Sequence, residues 1–178
     1  MQYTSVSHFL RAGRSHLAKG PVALIFVEDD VEIDTTLRHH FDLGFNAVIA
    51  FLPKAFAIAP DLAGRCPRVH MDSARGQPML DAVTAVAGAA PGLWIYYGFN
   101  AEYLFYPFRE TRTIDEMLAF HSEERRDAML TYAVDLYAPD LETAPNAVSL
   151  EDAQMDRTGY YALARPDPDN HNHPRERQ

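Results

Sequence analysis

Apolar residues in this chain arrive as short dense runs, separated by stretches in which they recur every three or four positions. The first run, Val22-Ala-Leu-Ile-Phe-Val27, contains no polar residue. A strand without polar positions is one covered on both faces, the habit of parallel sheets. Ile33, Leu37 and Phe41 then repeat at helical spacing, and Gly44 follows as a left-handed cap. A second apolar run spans Ala47 to Leu52. Pro21 to Leu52 therefore predicts a strand-helix-strand unit with a right-handed crossover.

The same alternation continues. Arg68 to Met71 predicts a short strand after a loop rich in proline and glycine. Pro78 starts a helix in its first turn, with Leu80, Val83, Ala87 and Ala90 as the inner face, and Pro91-Gly92 ends it. Leu93 to Tyr97 reads as a buried strand. Gly98 opens a loop that presents Asn100 and Glu102, and Tyr103 to Tyr106 form a further aromatic segment closed by Pro107. Thr113-Ile-Asp-Glu116 is a capping box, and its helix is expected to run to about Leu130. Thr131 to Tyr137 alternates as a strand with one polar face, with Asp135 inside it. Ser149-Leu-Glu-Asp152 is a second helix start, and Gly159 to Ala164 a last short strand. Ahead of all this, residues 4–19 predict a short amphipathic helix.

Strands alternating with helices make an α/β protein, a three-layer α/β/α arrangement on a mainly parallel sheet. The expected division is an N-terminal helix or leader over 1–20, the α/β domain over 21–164, and an aperiodic polar tail over 165–178.

Composition narrows the function. The chain has 178 residues, 47% of them hydrophobic, enough for one domain with a core. A net charge of -9 disfavours a nucleic-acid partner, which would want a basic face. The single cysteine, Cys66, excludes an internal disulfide and fits a reducing compartment. No apolar run reaches the length of a transmembrane segment. The expectation is a cytoplasmic protein of open oligomeric state.

Ligands of open α/β sheets bind beyond the carboxyl ends of the strands. Glu28-Asp29-Asp30 follows the first strand there, and Asn100 and Glu102 follow the tryptophan-bearing strand. Asp29 and Asp30 also suit helix capping, and both roles stay open. Arg109 and Arg112 are bidentate donors suited to a diphosphate, or ion-pair partners of Glu110 or Asp115. Lys54 is a further cation for a phosphate. His39 and His40 are adjacent on a helix and point about 100° apart, so they do not converge on one metal ion. Asp152, with Glu151 and Asp156, is an acidic group able to act as a general base, although acids at a helix start need no such role.

Two stretches carry a family resemblance. Trp94, Glu102 and Tyr103-Leu104 stand in the frame Trp-x-x-x-x-Asp-x-Asp-Glu-Phe-Leu of GT-A glycosyltransferases of the family-2-like bacterial kind. Upstream, Glu28-Asp29, Ile33, Leu37, His39-His40 and Leu43-Gly44-Phe45 match the spacing of that family's first strand and helix. The resemblance covers roughly Pro21 to Tyr137. It implies the nucleotide-diphospho-sugar transferase fold, a nucleotide sugar as donor, and a glycan or other acceptor. It places Asp29, Asn100 and Arg109 at the donor and Glu102 at a divalent metal, Mg²⁺ or Mn²⁺. Phe99 and Ala101 occupy the two aspartate positions of the motif, so the DxD element is degenerate. Family members continue past this length, so the resemblance implies a truncated gene product, a fragment or a reduced homologue. The alternative it leaves is a catalytically silent domain of the same fold that binds a partner or a glycan.

Overall fold

The structure is a computed structural model that describes residues 1–73 and 75–155. The expected strand at 159–164, the tail at 165–178 and Asp156 lie outside the described residues. Contacts divide the chain into two compact units, Met1–Asp127 and Ala128–Gln178.

The first unit is built on five strands: β1 (Gln2–Tyr3), β2 (Val22–Phe26), β3 (Ala47–Leu52), β4 (Arg68–His70) and β5 (Ile95–Phe99). They form one sheet in the order β1-β4-β3-β2-β5, and every pair is parallel. Between them run α1 (Val6–Ala12), a 3₁₀ turn (Arg14–Leu17), α2 (Ile33–Asp42), α3 (Pro60–Ala63), α4 (Gln77–Ala89) and, after β5, α5 (Ile114–Glu123). From β2 to β4 the chain steps one way across the sheet. From β1 to β2, and from β4 to β5, it steps the other way. Right-handed crossovers then demand helices on opposite faces. Accordingly Ile33, Leu37, Leu62, Ile114 and Leu118 cover one face, against Ala23, Ile25, Val48 and Ala50. Phe9, Leu17, Ala82 and Val86 cover the other, against Val22, Leu24, Phe26, Ile49 and Phe51.

Residues 22–27 are fully buried, as their unbroken apolar run predicts. Gly44 takes φ +95° after α2, the left-handed conformation assigned to it. The capping box forms at α5: Thr113 accepts from the Glu116 N–H, and Glu116 accepts from the Thr113 N–H at 2.8 Å.

Four elements differ from the sequence reading. The first residues supply β1, two residues long and too short to show a period, so they belong to the sheet. The helix α4 buries Ala82 and Val86, while Leu80 and Ala87 face outward. With apolar residues all round, its sequence did not single out a face. The helix α5 stops at Glu123, and just past its end Arg125 takes φ +57°, which no helix continues through. Among the described residues, positions 131–136 are assigned to no strand. In the second unit Tyr137 and Gln154 make one antiparallel bridge, with N–H to O distances of 3.0 and 2.9 Å. Of the alternating apolar side chains, Tyr132 is 68% exposed and Leu136 57%.

A buried histidine ties α2 to β5. His40 is fully buried, and its Nδ1 donates to the Thr36 carbonyl oxygen at 2.8 Å. Its ring stacks on Tyr96, with centroids 4.9 Å apart. Nε2 has no partner. Burial pushes the imidazole down to about 4, outweighing the backbone hydrogen bond. The unfolded chain therefore binds a proton that the folded chain refuses between pH 6.5 and about 4. Stability is predicted to fall as pH drops through that window, by about 3 kcal/mol from this group. His16 and His39 are also lowered by burial and act in the same direction. Urea unfolding of His40→Phe across this range should show a flatter pH slope than the parent. Equal slopes would remove His40 as the cause.

Candidate functional site at the carboxyl ends of β2 and β5

The order of strands reverses beside β2. Chain-successive β3 and β4 lie to one side of it and β5 to the other. In open α/β sheets this switch point is where ligands bind, beyond the carboxyl ends. Phe26 and Phe99 end the two strands in register. The segments that leave them carry most of the polar groups singled out in the sequence.

Asn100 joins the two segments. It is 8% exposed. Its Oδ1 accepts the Glu28 N–H at 2.8 Å, and its Nδ2 donates to Asp29 Oδ1 at 2.6 Å and to the Val31 oxygen at 2.8 Å. Both amide protons and the carbonyl are engaged. Asp29 Oδ1 also accepts the Val31 N–H at 3.0 Å, an Asx turn rather than a helix cap. The residue at the head of α2 is Glu32, with φ +51° and no side-chain cap.

A second clamp lies one turn into α2. Thr36 is fully buried; its hydroxyl donates to the Glu32 oxygen at 2.7 Å and accepts the Ala101 N–H at 2.9 Å. Glu32 and Ala101 (φ +59°) are both non-glycine residues in the left-handed region. Strain of this kind persists where the surroundings over-determine the backbone. Thr36 supplies that determination to both. Beside it, Thr35 Oγ1 lies 2.5 Å from Glu32 Oε2 and 2.8 Å from the Tyr103 hydroxyl.

The carboxylates differ in company. Glu28 holds Arg75 in a two-pronged ion pair, Nε to Oε1 at 2.6 Å and Nη2 to Oε2 at 3.1 Å. The pair keeps Arg75 above its usual range and leaves its guanidinium at the surface. Glu102 is exposed, and its Oε2 accepts the Phe99 N–H at 2.9 Å. Asp34 accepts the Ala59 N–H at 2.8 Å. An open cleft of about 530 Å³ lies alongside, lined by Asp30, Glu32, Ile33, Asp34, Ala55 and Phe56 among others.

Asp29, Asn100 and Glu102 are thus gathered into adjoining loops. Arg109 contacts a different set of residues: its guanidinium lies 4.5 Å over the Phe105 ring, which neighbours His39 at 5.6 Å. Its Nε is buried without a partner among the described residues. His39 Nε2 donates to the Leu104 oxygen at 2.9 Å, and burial, with the Arg109 charge, keeps its imidazole below the usual range. Arg112 pairs with Glu116 at 2.9 Å. Lys54 is exposed in the turn after β3. Asp152 belongs to the second unit, where it is exposed and its N–H donates to Ser149 Oγ at 3.2 Å; no helix follows this start among the described residues.

A divalent ion would meet few side-chain oxygens in these loops. Phe99 and Ala101 contribute no side-chain oxygen, and Glu102 is turned onto its own strand end. Among the described residues no three His, Cys, Asp or Glu side chains form a group able to hold a metal. Glu102 alone would hold an Mg²⁺ or Mn²⁺ ion only together with phosphate oxygens brought by a ligand. Sequence reasoning passed over Thr36 and Arg75, read Tyr96 only as a buried strand position, and opened the loop at Gly98, which instead lies inside β5. The three side chains read as ordinary helix, loop and core positions, and only their partners, distant in the chain, mark them out.

The fold and the clamp define an α/β protein with a five-stranded all-parallel sheet and helices on both faces. Compared with protein-family models, curated proteins and solved structures, the chain gives no match. No helix of the described residues is long and apolar enough to cross a membrane.

Asn100→Leu keeps the side-chain volume and removes three hydrogen bonds, leaving the Glu28 N–H and the Val31 oxygen unmatched. It should cost about 2–4 kcal/mol in urea unfolding, and Thr36→Val about 1–3 kcal/mol. A change within about 0.5 kcal/mol for either would show that the loops hold without that side chain.

Proposed function

We propose that the first unit is a glycosyltransferase-like domain of the GT-A kind. It takes a nucleotide sugar at the carboxyl ends of β2 and β5, and the sugar passes to a glycan or another acceptor. The observation that carries this reading is the Asn100 clamp. It joins the Glu28–Asp29 segment to the Asn100–Glu102 segment at the switch point of the sheet. Those are the two segments on which the sequence resemblance rests. The acidic cleft beside them supplies acceptors for ligand hydroxyls.

In such a transfer the acceptor oxygen bonds to the anomeric carbon, the bond from that carbon to the diphosphate oxygen breaks, and the acceptor proton passes to a carboxylate. The domain's part is to orient the donor and meet its charge. Asn100 fixes the loops, Asp29 and Glu102 line them, and Arg75 brings a guanidinium to this end of the sheet. An Mg²⁺ or Mn²⁺ ion arriving on the diphosphate would have Glu102 as its carboxylate, and it would stabilise charge on the leaving group.

A second reading has its own support. Asn100 is spent on backbone and Asp29, and Glu102 closes its own loop. A domain that binds a glycan or partner without transfer needs no more than that.

Thermal unfolding against nucleotides and nucleotide sugars, with and without Mn²⁺, separates the readings. A ligand at a hundred times its dissociation constant adds about 2.7 kcal/mol, an upward shift of several degrees. The proposal expects such a shift for at least one nucleotide sugar, and Glu102→Ala should remove its Mn²⁺-dependent part. No shift with any nucleotide, on a folded sample, would leave the binding-only reading.

A further inference from the structure

The face of β5 toward α2 carries an arrangement that the donor-site residues do not account for. Tyr96 is rooted in the core, its ring 4.9 Å from His40 and 6.0 Å from Phe45. Two residues on, the strand has Gly98. A Cβ there would lie 2.5 Å from the Tyr96 hydroxyl oxygen, 3.0 Å from its Cζ and 2.8 Å from Glu102 Oε2. The tyrosine ring therefore runs forward over Gly98, and its hydroxyl comes out beside the Glu102 carboxylate. Glycine at 98 is what leaves room for both oxygens.

The two groups are complementary. Tyr96 has no hydrogen-bond partner among the described residues, yet its hydroxyl is not sealed off as the unpartnered His40 Nε2 behind it is. Glu102 uses Oε2 on the Phe99 N–H, and Oε1 is free to accept. We infer that Tyr96 and Glu102, set side by side across Gly98, recognise a ligand hydroxyl, the tyrosine donating to its oxygen and the carboxylate accepting its proton. The ligand class is a polyhydroxylated ring, and on the proposed function, which this inference deepens, it is the sugar of the donor. Burial first, and then the Glu102 charge, raise the Tyr96 phenol above its usual value, which keeps it a donor at neutral pH.

Tyr96→Phe removes the hydroxyl alone and keeps the ring against His40. Tyr97→Phe is the control, since Tyr97 is half exposed on the alternate side of the strand. The probes are UDP, GDP and ADP, their glucose conjugates, and methyl glucoside, with dissociation constants from titration of the folded chain. The inference expects a glucose-bearing probe to bind about tenfold more weakly to Tyr96→Phe, the loss of one hydrogen bond. The bare diphosphates and the Tyr97→Phe protein should be unaffected. Equal affinity of the glucose-bearing probes for parent and Tyr96→Phe overturns it, as does a failure of every one of them to bind. Binding of bare diphosphates with no contribution from Tyr96 would leave the donor site standing without this contact. Tyr96-dependent binding of methyl glucoside with no nucleotide binding would do the reverse.

Discussion

A parallel sheet covered by helices on both faces has no room for polar chemistry except where its strands end. In this protein β2 and β3 are buried along their whole length, and charged groups collect beyond Phe26 and Phe99. Leaving a buried strand is itself a physical problem, because the departing backbone N–H and C=O groups need partners. Asn100 answers it at the switch point, with one acceptor and two donors spent on the turn that follows β2. Thr36 answers it one layer further out, holding two left-handed residues in place. The candidate site is built on these two clamps.

The clamps also explain why two backbone conformations unfavourable to side chains persist at Glu32 and Ala101. Each is joined to a buried hydroxyl that cannot move without losing both bonds. Rigid loops at a strand end are what a site that orients a donor requires. The same rigidity binds the amide of Asn100 to structure, so the residues that touch a ligand are its neighbours. Glu102, the Tyr96 hydroxyl, Arg75 and the acidic cleft wall are the groups with capacity to spare.

The layered α/β plan was legible because the strongest signals are local. Val22 to Val27 and Ala47 to Leu52 are apolar without break, Gly44 sits where a left-handed cap is needed, and Thr113 with Glu116 spells its own cap. What stayed hidden depends on partners. Gln2 and Tyr3 become a strand only because Arg68 and Val69 lie alongside. Leu93 to Tyr97 reads as buried, but β5 is an edge strand, begins at Ile95 and leaves Tyr97 half exposed. The placing of Asp29, Asn100 and Glu102 beyond strand ends could be read from sequence; the hydrogen bonds that separate clamp from contact could not. Tyr96 and Gly98 form a feature only in three dimensions.

The central claim is that ligand chemistry belongs to the carboxyl ends of β2 and β5. Amide chemical-shift mapping of the labelled protein during titration with nucleotide sugars tests it most directly. The account predicts perturbations centred on the amides of Glu28, Val31, Ala101 and Glu102. Perturbations centred instead at the opposite end of the sheet, around the small cavity lined by Trp94 and Ser122, would contradict it.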